Sequence, residues 1–163
     1  MESISNFSMN FKKYVSFIVI ILFLGIVAFF LANQNILLRK ASGNDVKFVK
    51  IGDVKVKVEL AFTHEEQEQG LSGRKSLEEG TGMLFIFPKP GKYFFWMKDM
   101  NFPIDIVWID ENFRVTYIEK NALPSSYPNS FGPTVDNSYI LEVLDGFAEK
   151  NNLKIGDSVE FLR

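Results

Sequence analysis

The chain has 163 residues, with 18 Lys and Arg against 20 Asp and Glu, one histidine and no cysteine. That length holds one domain and an appendage. The missing cysteines exclude disulfides, thiol catalysis and thiolate metal sites, and a lone histidine excludes a multi-histidine zinc centre.

The appendage comes first. Behind a short polar leader, residues 1–13, the stretch from Tyr14 to Ala32 carries no charge and is large and apolar except at Ser16, Gly25 and Ala28. At 1.5 Å per residue these positions span roughly 28 Å as a helix, about the hydrocarbon thickness of a bilayer. A cleaved signal would have a shorter apolar core and small residues just before the cut. Phe30 stands where one is needed, and Ala41-Ser42-Gly43 lies beyond Arg39 and Lys40. We therefore expect an uncleaved single-pass anchor at residues 14–32. Lys12 and Lys13 precede it while Arg39, Lys40, Lys47 and Lys50 follow, so charge bias does not set the orientation. The short leader before a lone span resembles an uncut export signal and places the C-terminal part outside the cytoplasm.

Residues 33–45 are polar and mixed, ending in Ser42-Gly43-Asn44-Asp45, and read as a stalk. The globular domain follows at 46–163. After the span the chain carries 16 basic and 19 acidic residues, a net charge of −3 without a basic stripe, so nucleic acid is not an expected partner.

Lys47–Ile51 and Val54–Phe62 flank Gly52-Asp53, a two-residue hairpin signal. Val54, Val56, Val58, Leu60 and Phe62 share one face of the second arm and Lys55, Lys57 and Glu59 the other, as in a half-buried strand. Thr63 stands three residues before Glu66, the spacing of a capping box, and Gly70 sits where a short helix would end. Met83–Phe87 and Tyr93–Met97 read as strands apolar on both faces, joined by a Pro88-Lys89-Pro90-Gly91 turn. Ile104–Ile109 and Arg114–Ile118 form a hairpin about Asp110-Glu111-Asn112. Leu123–Ser138 is a loop of 16 residues rich in Pro, Ser, Asn and Gly, a length usual for functional loops. Tyr139–Leu144 is a further strand, Ala148–Asn152 one helical turn, and Gly156-Asp157 turns the chain into a last strand through Leu162. Seven or eight short strands with one or two short helices predict a mainly β domain, an antiparallel sandwich or partly closed barrel.

Five motifs in order, Thr63-x-x-Glu66-x-x-x-Gly70-Leu71-x-x-Arg74, Gly82-Met83-Leu84-Phe85-x-Phe87, Phe95-Trp96-Met97-Lys98, Pro103-Ile104-Asp105-Ile106 and Gly156-Asp157, resemble the prokaryotic family known as domain of unknown function 192. The resemblance covers about Val54 to Leu162. It implies a compact β-rich domain, often exported or tethered, and no activity. Where the family commonly has Asn-Thr after the Lys, this chain has Asp99-Met100, and Ser72 replaces a common Met.

Asp105 shares a face with Val107 and Ile109, so a carboxylate stands on an apolar face and needs a cation or several donors nearby. Arg74 and Lys98 are the expected partners, forming either an anion- or sugar-binding cluster with Asp99 or a buried structural pair. Trp96 shares a face with Phe94 and Lys98 and offers either a stacking surface or core packing. Tyr127 and Phe131, aromatics in a polar loop, are candidates for ligand contact or loop anchors. Glu142 alternates with Ile140 and Leu144; with Asp105 or Asp157 it could form the acid and base pair of a glycan hydrolase or transferase, although Asp157 also suits a local turn. His64 falls in the first helical turn beside Glu65 and Glu66, poorly placed for a catalytic triad. No phosphate-cradling loop or dinucleotide fingerprint is present, and no cofactor or metal is expected.

Three functions fit: a tethered binding or accessory module for a polar small molecule or glycan, lidded by Leu123–Ser138; an envelope glycan enzyme using carboxylates; and a structural subunit of a membrane complex.

Overall fold

The computed structural model describes residues 19–27 and 46–163. It divides the chain into two units, Met1–Gly43 and Asn44–Arg163. Residues 19–27, the described part of the expected anchor, are helical with exposed apolar side chains. Among the described residues no helix is long and apolar enough to cross a membrane. The remainder of the expected span, the leader and the stalk lie outside the described residues.

The second unit is built on a seven-stranded sheet. In chain order its strands are β1 (Phe48–Ile51), β2 (Val54–Ala61), β3 (Thr81–Gly91), β5 (Ile104–Ile109), β6 (Val115–Ala122), β8 (Asn137–Leu144) and β9 (Val159–Leu162), arranged β6-β5-β8-β3-β2-β1-β9. Two short strands, β4 (Phe95–Trp96) and β7 (Ser130–Phe131), pair separately. Two short helices complete the domain, α1 (His64–Gln69) and α2 (Phe147–Lys150).

Gly52, at φ 59°, makes the β1–β2 hairpin with the expected Gly-Asp turn. The capping box forms in full: Glu66 N donates to Thr63 Oγ1 and Thr63 N to Glu66 Oε2. One connection departs from a simple meander. The α1 segment carries the chain across the sheet, so β2 and β3 pair in parallel from Lys57↔Thr81 to Ala61↔Phe85.

The sheet curls into a half-barrel. At one end its outer strands approach each other through the bridge Arg114↔Ser158, supported by Val159 N donating to Phe113 O and Gly156 N to Val115 O. The fold is thus the partly closed barrel of the two architectures expected. All seven strands supply the inner core, including Val49, Val56, Leu84, Val107, Val115, Leu141 and Val159. A second core on the outer face draws mainly on the central strands, with Phe85, Ile106, Trp108 and Ile140 covered by Leu71, Met97 and Phe102 from connecting segments and Ala122 joining from β6. The central strands are therefore apolar on both faces, and all six residues of β5 are buried. Both clusters, and the apolar residues packed on them, lie between Val46 and Phe161, so residues 44–163 carry their own cores.

The outer cover is where the sequence reading departs most from the fold. Pro88–Gly91 is no free turn but the end of β3, with a register shift between Ile86 and Gly91. Tyr93–Met97 is no central strand: only Phe95–Trp96 is extended, and it pairs with Ser130–Phe131 of the long loop. That loop is ordered by this pairing and by a 3-10 turn at Pro124–Ser126.

Candidate functional site

A cleft of about 210 Å³ opens on the outer face between α1 with the turn after it, β3 and the Tyr93–Trp96 segment. Glu142 lies at its inner end. It occupies the central strand β8 opposite Met83 of β3 and Ile106 of β5, and both neighbours belong to the outer core. The residue is 5% exposed, and its Oε2 has no hydrogen-bond partner among the described residues. Burial pushes its carboxyl up to about 8, the Arg74 charge offsetting only part of the cost of desolvation. At neutral pH it is predominantly a neutral acid.

Gly70 keeps the space beside this carboxyl open. It ends α1 at φ 49°, its N–H bonded to Glu66 O, and a Cβ there would stand 3.2 Å from Phe85 Cζ and 3.8 Å from Glu142 Oε2. Glycine is required twice, for the backbone angle and for the opening.

The opposite wall is aromatic and pinned. Phe95 meets Phe85 edge to face at 4.8 Å and Trp108 at 5.9 Å, while Phe87 stacks on Tyr93 at 3.6 Å. Trp108 Nε1 donates to Tyr93 O at 2.8 Å, and Tyr93 Oη donates to Lys89 O at 2.7 Å. Alternation then sends Phe95 and Met97 inward, while Phe94, Trp96 and Lys98 face outward, with Phe94 60% and Trp96 53% exposed. Trp96 is therefore a surface at the cleft and not core. Tyr127 meets it edge to face at 6.1 Å, and Phe131 is the β-partner of Phe95. Of the three predicted aromatics only Trp96 lines the cleft, while Tyr127 and Phe131 contact residues of its wall.

The predicted charged cluster does not form. Asp105 is buried, but it is satisfied by backbone: Asn121 N donates to its Oδ1 at 2.9 Å and Ala148 N to its Oδ2 at 2.7 Å. It locks the end of β6 and the start of α2 to β5 and needs no cation. Arg74 instead makes a two-pronged pair with Glu59, at 2.6 and 2.8 Å, which holds Glu59 below its usual carboxylate range. Lys98 and Asp99 are exposed; they serve through backbone, where Lys98 O accepts from Ser72 Oγ and Asp99 O from Gly73 N. These bonds fasten the Gly70–Arg74 turn to the aromatic segment.

A carboxylate pair is also not assembled. Asp105 pairs in register with Val143, so it shares the inner face while Glu142, one position away, points to the outer one. Asp157 is a local turn residue, its Oδ2 accepting from Lys154 N at 2.8 Å beside Gly156 at φ 94°. His64 lies at the cleft mouth, 3.2 Å from Glu68 and exposed. Among the described residues no three His, Cys, Asp or Glu side chains are grouped to hold a metal.

Sequence reasoning weighed Glu142 only as half of a catalytic pair and missed Gly70 and Phe94 as site residues. The available signal was an acid inside Tyr139-Ile-Leu-Glu-Val-Leu144, a run otherwise apolar on both faces.

The curled half-barrel thus carries, beneath an aromatic wall, a buried carboxyl whose Oε2 has no hydrogen-bond partner among the described residues. The profile of an uncharacterized family, domain of unknown function 192, matches residues 47–161, and the chain belongs to that family. Among solved structures it resembles a protein of unknown function from Novosphingobium aromaticivorans DSM 12444, with 31% identity and TM-score 0.67 over 71% of this chain and 85% of that one. It also resembles a Sinorhizobium meliloti 1021 protein provisionally described as a transcription regulator, with 26% identity and TM-score 0.66 over 70% and 92% of the two chains. A comparison with curated proteins gives no match.

Proposed function

We propose that the chain is a membrane-anchored, extracytoplasmic binding module whose ligand enters the cleft above Glu142. The carrying observation is Glu142, which lines an open cleft and whose buried Oε2 has no hydrogen-bond partner among the described residues. A buried polar atom without a partner costs about 1–3 kcal/mol, a cost that a ligand group bonding to it removes. The pinned aromatic wall and the backbone-fastened Gly70–Arg74 turn support a preformed site, which binds with little ordering cost. The anchor rests on the uncharged run from Tyr14 to Ala32. Binding is favoured over glycan hydrolysis because Asp105 and Glu142 face opposite sides of the sheet. The regulator label of the Sinorhizobium protein is not carried over, since the chain after its span has a net charge of −3 and no basic stripe.

A thermal-shift screen of residues 44–163 against sugars, cell-wall fragments, organic amines and small anions tests this reading. A rise in midpoint for one class that Glu142→Gln removes would support the site. No rise from any class, or rises indifferent to Glu142→Gln, would reject it.

A further inference from the structure

The electrostatics of the cleft narrow its ligand. Its lining contains two acids, Glu68 and Glu142, and no Lys or Arg. Six aromatic side chains, Phe85, Phe87, Tyr93, Phe94, Phe95 and Trp96, also line it. The cation whose charge acts on Glu142 is Arg74, and both of its terminal nitrogens are engaged by Glu59. An anion would meet the acid Glu68, and the one base in the lining, His64, already stands 3.2 Å from that acid. Aromatic rings attract cations through their negative faces, and a buried carboxyl with an unfilled oxygen accepts an N–H.

We infer, resting on the binding role proposed above, that the ligand carries a primary ammonium group, which enters between the aromatic walls and donates an N–H to Glu142 Oε2. A quaternary ammonium would satisfy the rings but leave the oxygen without a donor. A neutral hydroxyl would satisfy the oxygen but gain nothing from the two acids. Binding joins an ammonium to an ionised carboxylate, so Glu142 gives its proton to solvent as the ligand enters and no other bond forms or breaks.

The other titratable groups on the packed elements are His64 and Glu68 of α1, Arg74 beyond it, and Tyr93 opposite; β5 and β3 present only Ile106 and Met83 beside the carboxyl. Tyr93 is shifted up by desolvation and its hydroxyl is spent on Lys89 O. Measurements in a His64→Gln background therefore isolate Glu142.

The test titrates residues 44–163 with n-butylammonium, its neutral isostere n-butanol and tetramethylammonium, following the Trp96 indole and the Gly70–Ser72 amides by NMR. Butylammonium should bind with an affinity that rises about tenfold per pH unit from 6 to 8 and then levels, as expected for one proton released per ligand. Glu142→Gln should weaken it at least about tenfold and flatten the pH profile. Trp96→Leu changes an exposed residue, so folding is not at issue, and should weaken binding severalfold. Butanol or tetramethylammonium binding as tightly as butylammonium, or butylammonium binding that is indifferent to pH and to Glu142→Gln, would overturn the ammonium inference. If a neutral sugar then binds and Glu142→Gln abolishes it, the cleft remains the site and only the ligand class falls. If no probe perturbs the cleft, both readings fall.

Discussion

Replacing Glu142 by glutamine should invert in its effect on stability across the pH range. The folded carboxyl titrates at about 8 against an ordinary value of 4.5, and desolvation is the leading cause. Because the folded value is raised, the wild type enjoys its full stability from this group below about pH 4.5, where the acid is neutral in both states. Between there and 8 the unfolded chain ionises first, and stability falls by about 1.4 kcal/mol per pH unit. Over roughly 3.5 units the loss reaches about 5 kcal/mol, comparable with the whole stability of many small domains. Glutamine keeps the size and removes the titration, but it buries an amide N–H that the site does not fill, at about 1–3 kcal/mol. The variant should therefore be the less stable protein at pH 4.5 and the more stable one at pH 8. Urea unfolding of residues 44–163 at half-unit pH intervals measures both, and the difference between the two proteins cancels groups such as Glu59 that titrate in each. A difference that does not change with pH would refute the buried neutral acid.

Three further outcomes follow from the same contacts. Asp105→Asn turns one acceptor into an amide facing a backbone N–H of Asn121 or Ala148, and should cost about 3 kcal/mol in urea unfolding; a cost under about 0.5 would mean those two bonds are dispensable. Arg74→Met breaks a pair whose side chains are 34% and 62% exposed, so stability should change by less than about 1 kcal/mol. The same change should raise the Glu142 carboxyl further, because Arg74 lowers it, and a carboxyl-carbon titration that is unmoved would show the two groups uncoupled. For the proposed topology, alkaline phosphatase fused to the C-terminus of the full chain should be active and a cytoplasmic fluorescent reporter dark, and the reverse pattern would place the domain inside.

Much of the fold was legible because it is written in local chemistry. The alternation from Val54 to Phe62, the Gly52-Asp53 turn and the Thr63–Glu66 cap are each set by neighbours in sequence, and each forms. The parallel pairing of β2 with β3 was hidden because it depends on where the α1 segment delivers the chain, a tertiary outcome. The site was half legible. The outward face of Phe94, Trp96 and Lys98 follows period-2 alternation, whereas Tyr127 and Phe131 contact Trp96 and Phe95 without lining the cleft. The partners of Asp105 could not be read, because two backbone amides at Asn121 and Ala148 carry no sequence signature and satisfy a carboxylate as well as a cation does. Glu142 and Asp105 looked like a pair because register is invisible in one dimension; one residue of offset on adjacent strands puts them on opposite faces.

The most direct measurement is the titration of the Glu142 carboxyl carbon by NMR in residues 44–163, alone and with saturating n-butylammonium. A midpoint near 8 in the free protein that drops by at least about two units with the ligand is the expected result, since a ligand selecting the ionised form must lower it and the tenfold-per-unit rise in affinity from pH 6 to 8 spans that drop. A midpoint in the ordinary carboxylate range, unmoved by any probe that binds, would contradict the central claim that the ligand of this module bonds to Glu142.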